Sequence, residues 1–289
     1  MKVLVLGSKG QLGRCLNDQL ANTNHDVVYT SRDQINISNF QLTKKKIEDI
    51  APDVVINATA YTAVDKAEED QEMANLINHL AVSNIANICH KLDCWFIHFS
   101  TDYVFDGTST LPYKEDFQTN PQGVYGSTKL KGEIAIKSSA CKYIIIRTAW
   151  VFSEYGNNFL KTMLRLGAEL DELSIVNDQI GAPTYAQDIA KAITSLLTYL
   201  SDGFDCQGVY HYCGDTPCSW FDFATEIFNQ AKVLEYRVPE TLKAVTTSQY
   251  PTLAKRPIFS VLDNHKGFKK FKFHPSNWRK SINTVLLKL

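Results

Sequence analysis

Tyr125 and Lys129 are the residues whose types and spacing most clearly predict chemistry. They bound the segment YGSTK at positions 125–129, and residues four apart share one face of a helix. A free tyrosine has a pKa of about 10, and a nearby cation favours its phenolate, which eases proton exchange. The spacing therefore predicts Tyr125 as a proton donor tuned by Lys129. An ordinary pair on a surface helix would show the same spacing.

A second candidate group, Thr101, lies in the segment STDYVFDG at positions 100–107. This segment directly follows a predicted strand, and open α/β sheets bind their ligands at the carboxyl ends of the strands. We therefore expect Thr101 to hydrogen-bond the same substrate oxygen as Tyr125. A hydroxyl that only satisfies local backbone groups is the alternative.

The segment GSKGQLG at positions 7–13 predicts a dinucleotide site that includes Gly7, Gly10, Gln11, Leu12 and Gly13. Glycines permit a tight turn and a close backbone approach, so a pyrophosphate can lie on free N–H groups at the positive end of a helix. An ordinary glycine turn is the alternative. The apolar run before the segment and the helical pattern after it favour cofactor binding.

Arg32 follows the second predicted strand, where this type of fold reads the adenosine ribose. An arginine there accommodates a 2′-phosphate, whereas an acidic residue prefers the bare hydroxyl. Arg32 therefore favours NADPH, and the adjacent Asp33 leaves NADH possible. A solvated pair of loop charges is the alternative.

Alternating strand and helix patterns must position these residues. Five apolar runs predict buried parallel strands at residues 2–6, 26–30, 53–57, 95–99 and 143–147. Helical patterns separate them, at residues 11–21, 38–50, 68–92 and 125–139. This alternation predicts an α/β fold of the Rossmann type, a doubly wound parallel sheet with helices on both faces.

The second half of the chain is less regular. It predicts helices at 158–170 and 184–200 and a strand at 209–212, with Ser219 and Ser276 as N-caps of later helices. Prolines punctuate the last quarter, which is typical of a smaller, loop-rich C-terminal lobe. We therefore expect a dinucleotide-binding Rossmann domain formed by residues 1–152 and 183–213. Residues 153–182 and 214–289 would form the substrate-binding lobe.

The composition argues against several classes of partner. The 289 residues include 30 Lys and Arg against 31 Asp and Glu, a formal charge of -1, so no basic field predicts nucleic acid binding. The five apolar residues before Gly7 are too few for the apolar region of a signal peptide, and no apolar run approaches the length of a membrane span. We expect a cytoplasmic protein with a small-molecule substrate and no membrane partner.

The seven cysteines are odd in number, scattered and without a C-x-x-C pair, so we expect reduced thiols. His211, Cys213 and Cys218 could supply three zinc ligands. No fourth ligand follows at finger-like spacing, so we predict no metal.

Together these motifs resemble the dTDP-4-dehydrorhamnose reductase family of the extended short-chain dehydrogenase/reductases. The resemblance covers nearly the whole chain and depends on NATAYTAVDKAE at 57–68, STDYVFDG at 100–107, VYGSTK at 124–129, RTAWV at 147–151, GNNF at 156–159, NDQIGAPT at 177–184 and AKRP at 254–257. It implies that NAD(P)H reduces the C4 ketone of dTDP-4-dehydro-L-rhamnose to dTDP-L-rhamnose. This nucleotide sugar serves cell-surface polysaccharide biosynthesis.

The resemblance also implies roles for individual residues. The implied cofactor contacts, beyond the glycine segment and Arg32, are Asn36, Ile37, Ala58, Thr59 and Ala60, together with Tyr125 and Lys129. The implied substrate contacts are Val64, Thr101, Asp102, Tyr103, Tyr125, Trp150, Asn158, Gln179 and Arg256. Trp150 ends the fifth predicted strand, where an apolar ring face suits a deoxysugar or base. A core tryptophan is the alternative.

Some members of that family form a dimer around magnesium held by glutamates. Cys15, Gln187 and Lys288 stand at the corresponding positions here, and none is a carboxylate. Magnesium requires oxygen ligands and usually takes one or two carboxylates. The resemblance thus implies no metal, and a monomer or a dimer that no metal bridges.

Two other functions stay open within the same superfamily. A non-catalytic relative binds NADP as the regulatory partner of methionine adenosyltransferase, although an intact Thr101, Tyr125 and Lys129 argue against that role. An epimerase or dehydratase would return the hydride to its product within one cycle. Dehydratases usually carry an acidic pair beside the threonine, whereas here Asp102 is followed by Tyr103.

Overall fold

A computed structural model describes all 289 residues and contains twelve strands. They are β1 (Lys2–Leu6), β2 (Asp26–Thr30), β3 (Val54–Asn57), β4 (Trp95–Thr101), β5 (Lys142–Thr148), β6 (Val151–Phe152), β7 (Glu172–Val176), β8 (Ile180–Gly181), β9 (Thr184–Tyr185), β10 (Gly208–His211), β11 (Cys218–Ser219) and β12 (Thr241–Val245). Six of them form one parallel sheet in the order β10-β5-β4-β3-β1-β2. The predicted Rossmann-type fold is confirmed.

Eleven α-helices connect and cover the strands. They are α1 (Gln11–Leu20), α2 (Phe40–Ile50), α3 (Val64–Glu69), α4 (Gln71–Asn75), α5 (Ala81–Leu92), α6 (Val124–Ser138), α7 (Phe159–Glu169), α8 (Ala186–Ser201), α9 (Trp220–Val233), α10 (His265–Phe271) and α11 (Trp278–Leu286). A π-helix (Leu76–Leu80) and two 3-10 turns (Asp102–Val104, Thr247–Gln249) complete the set. No helix is long and apolar enough to cross a membrane.

Alternate residues of each central strand enter two different apolar layers. Val3 and Val5 of β1 pack with α1 and α8, whereas Leu4 and Leu6 pack with α2 and α5. Side chains alternate between the faces of a strand, and a parallel sheet covered on both sides buries both sets. This is why the strands read as continuous apolar runs in the sequence.

A third apolar cluster joins α7, α9 and α11 beside β7. Here β7 pairs in parallel with β12, a two-stranded sheet that the sequence patterns did not predict. The division of the chain into a Rossmann domain and a substrate lobe stays a prediction.

Several predicted boundaries were wrong. The single helix predicted at 68–92 is divided into α4, the π-helix and α5, while Glu68 and Glu69 belong to the end of α3. The helix predicted from residue 38 begins at Phe40, because the side chain of Asn39 accepts a hydrogen bond from the Leu42 N–H and caps it. The helix predicted from residue 184 begins at Ala186, after β9.

Of the two predicted serine caps, Ser219 is confirmed and Ser276 is wrong. Ser219 forms a reciprocal capping box with Asp222 at the start of α9. Asn277, rather than Ser276, caps α11 by accepting from the Lys280 N–H. The Ser276 hydroxyl instead accepts from the Tyr185 N–H.

Candidate active site

Helix α6 presents the predicted Tyr125 and Lys129 beside the carboxyl end of β4. Its first N–H, from Val124, donates to Glu68 Oε1 at 2.8 Å. A Cβ atom at Gly126 would lie 2.2 Å from the carbonyl oxygen of Tyr103, so a glycine is needed for the helix to pack on the turn after β4. This close approach sets the Tyr125 ring edge-on to Tyr103, with centroids 5.5 Å apart.

Tyr125 and Thr101 come together as the sequence predicts. Burial raises the pKa of Tyr125 to about 12, Thr101 lowers it and the charge of Asp102 raises it. The phenol therefore keeps its proton at neutral pH. The Thr101 hydroxyl donates to Asp102 Oδ1 at 2.9 Å and accepts from the Tyr103 N–H. Its own proton is thus directed at a carboxylate in this structure.

Asp102 is almost completely buried, and its Oδ2 has no hydrogen-bond partner. Burial raises its pKa to about 6, although the neighbouring hydroxyls of Ser260 and Thr101 lower it. An unpartnered buried carboxylate oxygen needs an explanation. The role of Asp102 as a substrate contact stays a prediction.

Lys129 is also buried, one helical turn after Tyr125. Its Nζ donates to the Phe99 carbonyl at 2.6 Å and lies 3.2 Å from Nε2 of His98. Burial lowers the pKa of Lys129 to about 8, while Glu133 raises it. The groups that shift the Tyr125 pKa are Thr101 and Asp102, besides burial, so the tuning of Tyr125 by Lys129 stays a prediction.

The glycine segment has the geometry that a pyrophosphate requires. Gly7 has a φ of +83°, and a Cβ atom there would lie 2.8 Å from Cγ2 of Thr59. A Cβ atom at Gly13 would lie 2.1 Å from the Gly7 carbonyl oxygen. Helix α1 begins at Gln11 with Gly10 as its N-cap and no side-chain capping bond. Its first N–H groups are therefore suited to an anionic ligand, and the residues present fit a dinucleotide.

Arg32, Asp33 and Gln34 lie exposed beyond the end of β2. Asp33 forms an ion pair with Lys9 at 3.0 Å, and both side chains are largely exposed. This pairing leaves Asp33 partly neutralised beside Arg32. Lys9 is a second cation near the predicted 2′-phosphate position that the sequence patterns did not single out.

The segment after β3, residues 58–60, is held by two buried asparagines. Asn57 Oδ1 accepts from both the N–H and the hydroxyl of Thr59. Asn78 of the π-helix accepts from the Tyr61 N–H at 2.9 Å and donates to the Tyr61 carbonyl at 3.1 Å. It also donates to Thr128 on α6 at 3.3 Å. Asn78 therefore ties the predicted cofactor segment to the helix of Tyr125.

Other predicted contacts have their side chains engaged within the chain. Ile37 is buried in the core, and Asn36 accepts from Ser38 within its own turn. Asn158 caps α7 by accepting from the Lys161 N–H and donates to Gln11 Oε1 at 2.7 Å. Any contact of Asn158 with substrate would have to replace one of these bonds.

A cavity of about 730 Å³ lies between α7, β7 and the segment that contains Tyr250. Gln179, Arg256 and Trp220 are among its lining residues, most of which are hydrophobic. Arg256 forms an ion pair with Asp65 at 2.7 Å, and its buried Nε has no partner. This combination of apolar walls and polar groups suits a nucleotide base and its sugar.

Trp150 borders this region in an unusual backbone conformation. It has a φ of 48°, and its indole stacks on Trp220 with ring centroids 3.4 Å apart and planes inclined by 6°. The apolar face predicted for a deoxysugar or base is thus covered on one side by Trp220. Val64 is the first residue of α3, next to Asp65.

Beneath the site, Arg147 of β5 and Glu133 of α6 form a buried ion pair. Two hydrogen bonds of 2.9 and 2.7 Å join the guanidinium to the carboxylate, and the side chains are 2% and 0% exposed. Arg147 also lies 3.4 Å from His211 Nε2. Glu133 was not predicted, because a single acidic residue in a helical pattern resembles an exposed one.

The residues considered for metal binding have other partners. Nδ1 of His211 lies 3.0 Å from the Tyr113 carbonyl, and Cys213 Sγ contacts the Leu262 carbonyl. Lys288 forms an ion pair with Glu154, and Gln187 donates to Asp18. No group of three or more His, Cys, Asp or Glu residues is placed to hold a metal ion. All seven cysteines are free and buried, and the expected absence of a metal stays a prediction.

Comparisons with known proteins agree over the full length. Residues 1–289 match the family model described as the RmlD substrate binding domain. A dTDP-4-dehydrorhamnose reductase of Aggregatibacter actinomycetemcomitans is 41% identical over 98% of both chains. The crystal structure of a dTDP-4-dehydrorhamnose reductase from Clostridium acetobutylicum has a TM-score of 0.91, 38% identity and full coverage of both chains. A dTDP-4-dehydrorhamnose reductase from Bacillus anthracis in complex with NADP has a TM-score of 0.91 and 32% identity, covering 100% of this chain and 99% of its own.

Proposed function

The chain belongs to the RmlD substrate-binding family, and we propose that it reduces the C4 ketone of dTDP-4-dehydro-L-rhamnose to dTDP-L-rhamnose with NADPH. The reaction is an oxidoreduction in nucleotide-sugar biosynthesis. The observation that carries the proposal is the placement of Tyr125. Its protonated phenol lies beside Thr101 at the carboxyl end of β4 and one helical turn before Lys129.

The glycine segment and the loop after β3 support the cofactor assignment. The uncapped start of α1 offers N–H groups to a pyrophosphate, and Thr59 is fixed beside Gly7 by its bonds to Asn57. Arg32 would read the 2′-phosphate. NADPH bound in this place supplies the hydride that adds to C4.

Tyr125 then supplies the proton that the C4 oxygen requires. Its pKa of about 12 means that the phenol is protonated at neutral pH and can donate to a developing alkoxide. Lys129, one helical turn away, stabilises the phenolate that Tyr125 becomes when it gives up its proton. Thr101 would position the same oxygen once its hydroxyl proton turns from Asp102 to the substrate, and Asp102 offers its unpartnered Oδ2 to a sugar hydroxyl.

The nucleotide end of the substrate would occupy the 730 Å³ cavity. Arg256 would meet the diphosphate, which requires it to share or exchange its bond to Asp65. Gln179 offers an amide to the base or deoxyribose. We further propose that the protein acts in the cytoplasm, as a monomer or as a dimer without a metal bridge.

The test is an incubation of the purified protein with dTDP-4-dehydro-L-rhamnose and NADPH, with absorbance and chromatography as readouts. We expect one NADPH consumed for each dTDP-L-rhamnose formed. An isomerised or dehydrated sugar without net loss of NADPH would identify an epimerase or dehydratase. NADPH binding without turnover would favour the non-catalytic regulatory subunit.

A further inference from the structure

His98 lies directly behind Lys129 in the interior of the protein, and the proposed mechanism does not use it. The ring is completely buried, as is Lys129 on α6, and Asn57 at the end of β3 is 1% exposed. Nδ1 of His98 lies 3.2 Å from Asn57 Nδ2, and Nε2 lies 3.2 Å from Lys129 Nζ. Buried polar atoms of this kind are normally hydrogen-bonded, so the direction of each bond matters.

A backbone N–H fixes the direction of the hydrogen bonds that join Asn57, His98 and Lys129. The Thr59 N–H can only donate, and it lies 3.1 Å from an atom of the Asn57 amide. That atom must be the oxygen Oδ1, and so the amide nitrogen Nδ2 faces His98. Since an amide nitrogen only donates, Nδ1 of His98 is the acceptor. A neutral His98 ring therefore carries its proton on Nε2.

The proton on Nε2 points at the Lys129 amino group. A neutral amine has a lone pair that can accept this bond, whereas an ammonium has three donors and no acceptor. The second bond, from Nζ to the Phe99 carbonyl at 2.6 Å, uses an N–H that either form provides. The arrangement thus fits the neutral amine and places two donors face to face when Lys129 is charged.

The ionisable groups on the surrounding elements do not remove this conflict. Glu133 on α6 raises the pKa of Lys129, but Arg147 on β5 pairs with the Glu133 carboxylate through two bonds. Tyr125 on α6 keeps its proton, and Asp102 lies in the turn after β4. Burial and the charge of Lys129 hold the pKa of the His98 ring itself well below its usual value.

We infer that His98 is a positioning residue of this site: its Nε2–H orients the Lys129 amino group against the Phe99 carbonyl and disfavours the ammonium form. The inference depends on the proposed function for its role in turnover. An ammonium held in this way gives up a proton near neutral pH. In the proposed function the charged form of Lys129 supports Tyr125, so deprotonation of Lys129 limits turnover at high pH.

Asn57→Asp tests the inference because it reverses the direction of the bonds. A carboxylate oxygen in place of Nδ2 accepts from His98, so the ring proton moves to Nδ1 and Nε2 becomes an acceptor for the Lys129 ammonium. In the pH profile of kcat, the loss of activity at high pH should then move upward by about 1 unit or more, the range for one newly favourable partner. In Asn57→Asp combined with His98→Phe this upward shift should be largely lost. Asn84→Asp on α5 adds the same charge elsewhere and should leave the profile unchanged.

A second readout does not depend on activity or on the His98 variant. His98 and His211 are both completely buried, and Nδ1 of His211 donates to the Tyr113 carbonyl. Nitrogen NMR of histidine-labelled protein should therefore show one buried neutral ring of each tautomer in the wild type, and two with the proton on Nδ1 in Asn57→Asp. The inference is overturned if the His98 ring of the wild type carries its proton on Nδ1. It is also overturned if Asn57→Asp shifts the high-pH limb of the kcat profile equally with and without His98. If the wild type does not reduce dTDP-4-dehydro-L-rhamnose, the proposed function fails while the NMR comparison still decides the state of His98.

Discussion

Glu133→Gln should destabilise the protein far more than the loss of one surface charge does. The substitution keeps the size of the side chain but leaves the Arg147 guanidinium without a counter-ion, in a place where the two side chains are 2% and 0% exposed. Removing one member of a buried ion pair costs about 3–5 kcal/mol, because the other charge stays buried and unpaired. The Glu115 carbonyl still accepts from Arg147, but it carries no charge.

The cost converts to a change in melting temperature. Unfolding entropy is about 2.1 cal/mol/K per residue, so a chain of 289 residues has about 0.6 kcal/mol/K. The expected decrease in Tm is therefore about 5–8 °C by differential scanning calorimetry at pH 7.5. Glu169→Gln is the matched control, because Glu169 pairs with Arg165 at 3.0 Å on the surface, where both side chains are more than half exposed. Such a pair is worth about 0.2–1 kcal/mol, or less than about 2 °C here.

Two further measurements separate the ion pair from a general defect in packing. Glu133→Leu combined with Arg147→Met removes both charges and should melt above Glu133→Gln, since apolar replacements of a buried pair are often neutral. The Glu133 pKa lies below its usual 4.5 because Arg147 outweighs burial. The stabilisation from the Glu133–Arg147 pair is therefore present above pH 4.5 and is lost as the pH falls through the folded-state pKa of Glu133. The Tm difference between Glu133→Gln and wild type should therefore shrink in acid. A Glu133→Gln protein that melts within about 2 °C of wild type would refute this account.

Three other outcomes concern the site directly. Tyr125→Phe should lower kcat by about 10²- to 10⁴-fold, because only the donating oxygen is lost, while the NADPH dissociation constant stays unchanged in a fluorescence titration; a loss of less than about threefold, well below that range, would mean that another group delivers the proton. Arg32→Ala should raise KM for NADPH far more than for NADH, and equal changes would place Arg32 outside the cofactor site. Turnover should be indifferent to EDTA, because Lys288 pairs with Glu154 where a magnesium ligand would be needed; activity that EDTA abolishes and magnesium restores would contradict this.

The central sheet was predictable because its strands are buried on both faces and therefore read as continuous apolar runs. The pair β7 and β12 was not, because no continuous apolar run marks either strand and the two lie more than 60 positions apart along the chain. The break in the predicted helix at 68–92 has a local cause. Asp70, with φ −113° and ψ 53°, lies outside the helical region and separates α3 from α4, and the later π-helix places Asn78 in the interior.

Within the site, spacing predicted the groups that belong to compact motifs and missed isolated buried polar residues. Tyr125 and Lys129 share a helical face, and the glycines of residues 7–13 follow a strand directly. The spacing within each motif therefore already implies how its residues are arranged. His98 stands alone in the apolar run of β4, and its partners Asn57 and Lys129 come from other elements. Such a residue is recognisable only once the fold shows which atoms face it.

Which hydroxyl delivers the proton to the substrate follows from two pKa shifts with the same cause. Burial disfavours charge of either sign, so it raises the pKa of Asp102 to about 6 and lowers that of Lys129 to about 8. Between these values Asp102 is a carboxylate and holds the Thr101 hydroxyl proton at 2.9 Å. Tyr125, with a pKa of about 12, still carries its own proton in that range. The one proton of Thr101 is thus engaged in this structure, and we propose that Tyr125 is the group that protonates the substrate oxygen.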